Sequence, residues 1–302
     1  MHIPPEEATC YSRQMRSLPQ ETIKALARGF AEAADPNDLD AVDPAMLRAL
    51  LPILDFLAHR WYRMRVDGME RIPDGKALVV INHESGISFL ELFALGSFWI
   101  RERCMGDDPD LFHGLGHDAM FRIPGLSNFL VRCGGLIANH RNADRVFAAG
   151  RKILVAPGGN LEAFRPWRER FTIKFGGHTG FARVALRHRV PIIPVVFAGG
   201  HESFFVISDG RWLVERFSLH RRFRMDTFPL VLGLPWGLWL GPLFHLPLPT
   251  RCDVRVLDPI DAPSFGAEED PAAVEALYDE VTGRMQTALS DMGSKRRFPV
   301  LG

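Results

Sequence analysis

His83 is the residue from which a chemical reading of this 302-residue chain starts. It follows the apolar, β-branched run Ala77-Leu78-Val79-Val80-Ile81 and then Asn82. Short runs of this kind read as buried strands. A small polar turn, Glu84 to Ser88, leads into a second apolar run that begins a helix. The histidine is therefore placed at the C-terminal mouth of a strand, just ahead of a helix N-terminus, which is where ligands sit in open α/β sheets. A helix N-terminus disfavours the imidazolium, so a neutral ring available as a base is expected. A histidine in this position also serves ordinary structural hydrogen bonding, so the company it keeps decides.

A second strand, Ile153 to Ala156, closes on Pro157-Gly158-Gly159. Glycines there allow close backbone approach, and their N–H groups suit an oxygen on which negative charge develops. The same tripeptide also makes a plain strand-to-loop turn. Glu91 offers a carboxylate downstream of His83, and equally a favourable charge near a helix start. His113 and His117 have the four-residue spacing of zinc ligands on a helix, but Gly114 and Gly116 weaken any helix and no glutamate follows His113. His178 and the pair His201-Glu202 fall in loops that border strands. No Gly-x-Ser-x-Gly elbow and no dinucleotide fingerprint after a strand is present, so a serine hydrolase and a nicotinamide enzyme are unsupported. Neither a metal nor a cofactor is expected.

The elements that must hold these residues alternate along the chain. Residues 1 to 40 are polar and helix-prone. Asp43-Pro44 is a helix start, followed by Leu47, Leu50, Leu51, Leu54, Leu57 and Trp61 at helical spacing, with a kink at Pro52. Tyr62 to Val66 reads as a first strand, and Pro73-Asp74-Gly75 as the turn into the strand before His83. Helix resumes through Leu92 to Ile100. Phe112 to Gly135 is punctuated by glycine. Leu136-Ile137-Ala138 is a short apolar run, and Asn142 is placed to cap a helix over Ala143 to Ala149. Later come a helix at Gly180 to Arg187, strands at Val190 to Phe197 and Val254 to Leu257, and a closing helix at Pro271 to Met292. This order predicts an α/β fold: a mostly parallel central sheet flanked by helices, with an N-terminal helical segment (residues 1–61) ahead of the α/β domain (residues 62–302).

Equal numbers of basic and acidic side chains, 36 of each, argue against a nucleic-acid partner, which needs a basic excess. Cys10, Cys104, Cys133 and Cys252 are scattered without metal or disulfide spacing, so a reducing compartment is expected. The N-terminal MHIPPEEATC has acids and prolines where a secretory leader has basic and then apolar residues. The stretch 211–249 stands apart. Arg211, Arg216, Arg221, Arg222 and Arg224 alternate with aromatic and aliphatic residues, and Phe228 to Pro249 then carries no charge. Its length would span a bilayer as a helix, but five prolines and three glycines argue against one straight helix. An apolar segment in contact with a membrane interface is expected, with a cover packed on the sheet as the alternative.

Taken as an ordered set, Asn82-His83, Val155-Ala156-Pro157-Gly158-Gly159-Asn160-Leu161-Glu162-Ala163 and Val190-Pro191-Ile192-Ile193-Pro194-Val195 resembles the glycerolipid acyltransferase superfamily. The likeness is greatest to the Pro-Gly-Gly branch, which includes type 2 diacylglycerol acyltransferases and bacterial relatives, and it runs from about Tyr62 to Ile260. The resemblance implies transfer of a fatty acyl group from an acyl thioester, on coenzyme A or a carrier protein, to a hydroxyl of a glycerolipid-type acceptor. It implies His83 as the base that takes the hydroxyl proton. The family sets an Asp after four intervening residues, to fix the imidazole tautomer and stabilise the imidazolium. Ser88 occupies that place here, and Glu91, eight positions after His83, is expected to serve instead. The substrate-binding set implied is Ser88, Arg141, Pro157, Gly158, Gly159, Asn160, Glu162 and Arg165. Phosphate-reading members carry Pro-Glu-Gly-Thr-Arg in the second block; Asn160 and Leu161 at its last two places favour a neutral acceptor, while Arg141 and Arg165 leave a lysophospholipid open. The expected setting is a membrane surface, with the chain peripheral or monotopic and facing the cytoplasm. A non-catalytic lipid-binding protein on the same scaffold is the alternative.

Overall fold

The computed structural model describes residues 19–106, 109–218 and 226–302; Cys10, the start of the N-terminal segment, and Arg221, Arg222 and Arg224 lie outside them. Helix α1 (Gln20–Ala31) buries Thr22, Ala25 and Gly29. At Gly29 an added Cβ would stand 3.0 Å from Met46 Sδ, so α1 comes close to helix α2 (Pro44–Ala49) only because that residue has no side chain. Asp43 caps α2 by accepting from Met46 N at 2.9 Å, with proline at the first helical position, as expected. The expected break at Pro52 is present: α2 ends at Leu50, helix α3 (Leu51–Asp55) restarts, and Phe56–Trp61 continues with π-helical pitch.

The central sheet has seven strands in the order β1-β10-β6-β2-β5-β3-β4. They are β1 (Arg65–Asp67), β2 (Leu78–Ile81), β3 (Phe112–Gly116), β4 (Gly135–Ile137), β5 (Lys152–Val155), β6 (Ile192–Ala198) and β10 (Asp253–Val256). The five strands β6-β2-β5-β3-β4 are parallel, whereas β10 runs antiparallel to β6 and parallel to β1. Strand β2 is buried at all four positions, which is why its sequence does not alternate. Helices α4 (Leu90–Arg103) and α5 (Leu126–Arg132) cover one face with α2 and α3. Helices α6 (His140–Ala148), α8 (Gly180–His188) and α10 (Pro271–Ser294) cover the other. A short helix, α7 (Gly159–Ala163), follows β5.

Three expectations are corrected. The glycine-punctuated stretch from Phe112 contains β3, whose Gly114 and Gly116 carry no apolar side chain to signal a strand. Asn139 rather than Asn142 caps α6, accepting from Asn142 N at 2.8 Å; Asn142 instead donates to Ile137 O. The stretch 211–249 forms helix α9 (Arg211–Phe217), strands β8 (Leu230–Gly233) and β9 (Gly237–Leu240) and a following loop. With β7 (Phe205–Ser208), β8 and β9 make a separate antiparallel sheet. Among the described residues no helix is long and apolar enough to cross a membrane.

Candidate active site at the ends of the parallel strands

Strand β2 carries its chain onto the C-terminal edge of the sheet, and Asn82 fixes where it ends. The Asn82 amide accepts from Phe197 N at 2.8 Å and donates to Phe197 O at 2.9 Å, so a side chain continues the β2–β6 pairing by one step. The same amide donates to Glu84 at 3.0 Å. His83 follows, 4 % exposed, with the Phe89 ring tilted across it at a centroid distance of 4.5 Å. Phe89 holds a left-handed backbone, φ +52°, an uncommon conformation for a bulky residue, at the start of α4.

The backbone around His83 is bound by two fully buried side chains. Glu162 on α7 accepts from His83 N at 2.9 Å with one oxygen and from Lys174 N at 3.0 Å with the other. Arg165 donates to His83 O at 2.6 Å, Glu162 O at 3.0 Å, Glu169 O at 3.1 Å and Arg170 O at 2.8 Å, and pairs with Glu84. Glu84 accepts from His201 N at 3.0 Å, and the His201 ring bridges Glu84 O and Arg165 O at 3.1 and 2.7 Å. A neutral imidazole donates only once, and burial holds the His201 pKa well below its usual value. Gly158 admits this arrangement: a Cβ there would lie 2.5 Å from Glu162 Cβ and 2.7 Å from Lys174 O.

The imidazole itself is left over. His83 Nδ1 is buried and makes no hydrogen bond to the protein. Burial, and then the Arg165 guanidinium, lower the His83 pKa to about 3, so the ring is neutral across the physiological range. The expected pairing with Glu91 is not made. Glu91 does lie in the first turn of α4, but it accepts from Ser85 N at 3.1 Å, from Glu84 N at 3.4 Å and from the Ser85 hydroxyl. These short-range donors face a carboxylate at a helix start and hold it within the turn. Burial raises both Glu91 and Glu162 to about 7, and Glu84 pushes each further up. Glu84 and Glu162 share the charge of Arg165, and Glu84 also acts on Glu91, so the protons of these buried carboxylates are coupled.

Other expected site residues fall differently. Ser88 closes the turn by donating to Ser85 O at 2.7 Å. Arg165, read as a possible phosphate ligand, has its donors on four carbonyls and Glu84 and points into the protein. Glu162 likewise faces the His83 and Lys174 backbone rather than open space. Pro157 O meets His178 Nδ1 at 3.0 Å, Gly159 N donates to Ala156 O at 3.2 Å, and Asn160 O accepts from Thr227 at 3.4 Å. Arg141 follows β4, three strands along the same edge from β2, and borders an open polar depression with Asp35, Asn37 and Arg145. His113 is buried in β3 beside Arg151, and His117 bonds Ala119 N in its own turn; among the described residues no group of ligands suits a metal. Glu84 and His201 belong to the site but were legible only as neighbours of a motif and as a loop pair.

A cavity of about 150 Å³ lies against α4, and Phe89, whose ring packs on His83, lines it. Ile81, Phe89 and Ala156, which lie near His83 and Pro157 in sequence, line it together with Leu50, Trp99 and Leu130. Its walls include Gly96, Gly114, Gly116 and Gly135, and at Gly96 and Gly114 an added Cβ would meet nothing within 4 Å. A smaller apolar pocket continues past Gly96 and Trp99 toward Met69 and Val256. The arrangement sets a neutral imidazole with an unbonded nitrogen against Phe89, part of the wall of this apolar space.

Comparison with known proteins agrees with this chemistry. A family model described as Acyltransferase matches residues 63–198, a span that includes His83, the Pro157–Gly159 turn, Glu162 and Arg165. The chain is 28% identical over 259 residues to an uncharacterized protein of Mycobacterium tuberculosis, covering 84% of this chain and 69% of that one. It is 30% identical over 238 residues to the human DGAT1/2-independent enzyme synthesizing storage lipids, covering 76% and 66%. The crystal structure of a 1-acyl-sn-glycerophosphate acyltransferase from Thermotoga maritima superposes with a TM-score of 0.49 and 16% identity over 89% of this chain and 90% of that one. The family model and the human relative both liken this chain to enzymes of acyl transfer and lipid synthesis.

Proposed function

We propose that this chain transfers a fatty acyl group from an acyl thioester to a hydroxyl of a neutral glycerolipid, with His83 as general base. The observation that carries this reading is the buried His83 Nδ1, without a hydrogen-bond partner among the described residues, on a ring packed against Phe89 in the wall of the apolar cavity. An alcohol ionises far above pH 7, so its attack on a thioester needs a base within hydrogen-bond reach. In the proposed step the hydroxyl proton passes to the imidazole as the oxygen attacks the thioester carbon. The thiolate leaves and takes up a proton, and the ester product keeps the acyl chain. The cavity holds that chain, and the Pro157–Gly159 turn follows the neighbouring strand β5, where the Gly158 N–H can meet the oxyanion. Glu91 and Glu162 supply negative charge around the developing imidazolium once ionised, in place of a carboxylate on the ring. A neutral acceptor is favoured because Arg165 is fully bonded within the protein, leaving Arg141 as the expected arginine still facing outward. The storage-lipid name of the human relative points the same way.

A second reading, a lipid-binding protein without turnover, is favoured by one observation: among the described residues no carboxylate hydrogen-bonds His83 Nδ1. The deciding experiment offers purified protein a radiolabelled long-chain acyl-CoA and a mixed panel of neutral and phosphorylated acceptors, with His83→Ala alongside. A His83-dependent neutral ester is the expected product. Turnover that survives His83→Ala overturns the mechanism. Bound lipid without product, from coenzyme A and carrier-protein donors alike, establishes the second reading.

A further inference from the structure

The small β7-β8-β9 sheet breaks the usual rule for a sheet at a surface. An antiparallel sheet with one side in water alternates apolar and polar residues. Here both sides are apolar. The inner row Val206, Val231 and Trp239, aligned across the three strands, is buried. The outer row is Phe205, Leu232 and Leu238, also aligned, and Leu232 and Leu238 are 49 % and 61 % exposed. Trp236 at the hairpin turn is 58 % exposed, and Phe244 and Leu246 extend the surface beyond β9. No Asp, Glu, Lys or Arg occurs from Thr227 to Thr250.

We infer that this outer face is where the chain docks on a lipid bilayer, with anionic headgroups as the polar part of the contact. Three observations favour a bilayer over another protein. The hairpin bonds many of its polar groups internally: β8 pairs with both β7 and β9, Leu246 N donates to Leu234 O at 2.9 Å, and the Trp236 indole donates to Phe244 O at 2.7 Å. Polar groups bonded in this way tolerate an apolar medium. In sequence, arginines at 211, 216, 221, 222 and 224 immediately precede the charge-free stretch, and basic residues adjoining an apolar segment complement anionic lipid. The exposed side chains are also a wide, continuous row of Leu, Phe and Trp without a polar rim on the hairpin itself, whereas a protein interface carries one.

The inner row ties this face to the site. Ile87, in the loop after His83, packs on the Val206–Val231–Trp239 cluster, and His245 lies so close to Gly86 that a Cβ there would meet its ring at 2.5 Å. The docked sheet therefore holds the loop that carries His83 near the headgroup layer, where a lipid hydroxyl resides. The inference deepens the proposed function by placing the acceptor's bilayer, and rests on that reading only for what is delivered.

The test is flotation of the full chain with vesicles of phosphatidylcholine alone or mixed with an equal amount of phosphatidylglycerol. The protein floats with both and more with the anionic mixture, and high salt removes only that increment. Leu232→Asp with Leu238→Asp lowers the bound fraction by about tenfold or more, with circular dichroism and melting unchanged. If that pair fails to fold, Leu238→Asn alone, at an exposed position, lowers binding in the same direction. His83→Ala floats like the parent, so failure of catalysis and failure of docking are told apart. The inference is overturned if the parent stays with the bottom fraction, or if the folded variants float as it does. A dimer in equilibrium sedimentation that the paired substitution separates, without vesicle binding, assigns the face to a second copy instead.

Discussion

The two faces of the central sheet are packed to different ends. On one, α6, α8 and α10 press a continuous core onto the strands, with Leu277, Val281 and Met285 of α10 fully buried. On the other, α2 to α5 stand over a cavity walled partly by Gly96, Gly114, Gly116 and Gly135. Interiors are normally filled to crystal-like density, and each unfilled methyl-sized space costs stability. The hollow is thus a departure that the filled face makes tolerable, and Phe89 in its wall packs on the His83 ring. One face supplies stability and the other supplies room.

The contrast can be broken by substitution. The largest effect is expected at the rim. His83→Ala lowers acyl transfer by about 10²–10⁴-fold while the melting curve stays in place, measured by turnover and by thermal unfolding on the same preparation. Next comes the filled face. Leu277→Ala leaves a void in a tight core and costs about 2–5 kcal/mol in denaturant unfolding, with turnover by the folded fraction unchanged. Gly96→Leu sharpens the comparison from the hollow side. It places a side chain into open space on α4 and improves helix propensity by about 1 kcal/mol, so stability holds or rises. The cavity shortens, and the preference among acyl-CoA lengths moves toward shorter chains. A variant that unfolds, or one with unchanged chain preference, contradicts the cavity's role.

The smallest effect concerns protons. Glu91 and Glu162 have pKa values raised to about 7, so both are largely protonated at pH 6 and ionised at pH 8, while His83, at about 3, is neutral throughout. Ionisation adds negative charge around the imidazole and strengthens it as a base. The rate therefore rises severalfold between pH 6 and pH 8. Glu91→Gln removes part of that rise and costs more activity at pH 8 than Ser88→Ala; the opposite ranking would assign the partner role to the Ser88 position.

Local signals carried much of this fold. Strand β2, helix α8, the capped start at Asp43-Pro44 and the Pro157–Gly159 turn are all legible because periodicity, caps and turn chemistry act within a few residues. Strand β3 was not, because its glycines replace the apolar pattern by which a strand is recognised; the same glycines open the cavity. Asn82 and Glu84 stood within the motif, but their roles depend on Phe197, Arg165 and His201, more than 80 residues away in sequence for each. Glu91 stands near a helix start, as expected, but does not reach the ring, since its nearest donors are the Ser85 turn's own N–H and hydroxyl groups.

The sequence by itself determined the kinds of element, their α/β alternation, the position of His83 at a strand end and the charge-free character of 227–250, all consequences of short-range pattern and composition. The tertiary structure alone decided the partners. It turned Arg165 inward, gave Glu162 the His83 backbone, left Nδ1 free and folded an apparent membrane-length segment into a hairpin. Those outcomes follow from which distant groups close packing brings within 3 Å of one another, and hydrogen bonding in a buried site is satisfied by proximity in space rather than along the chain.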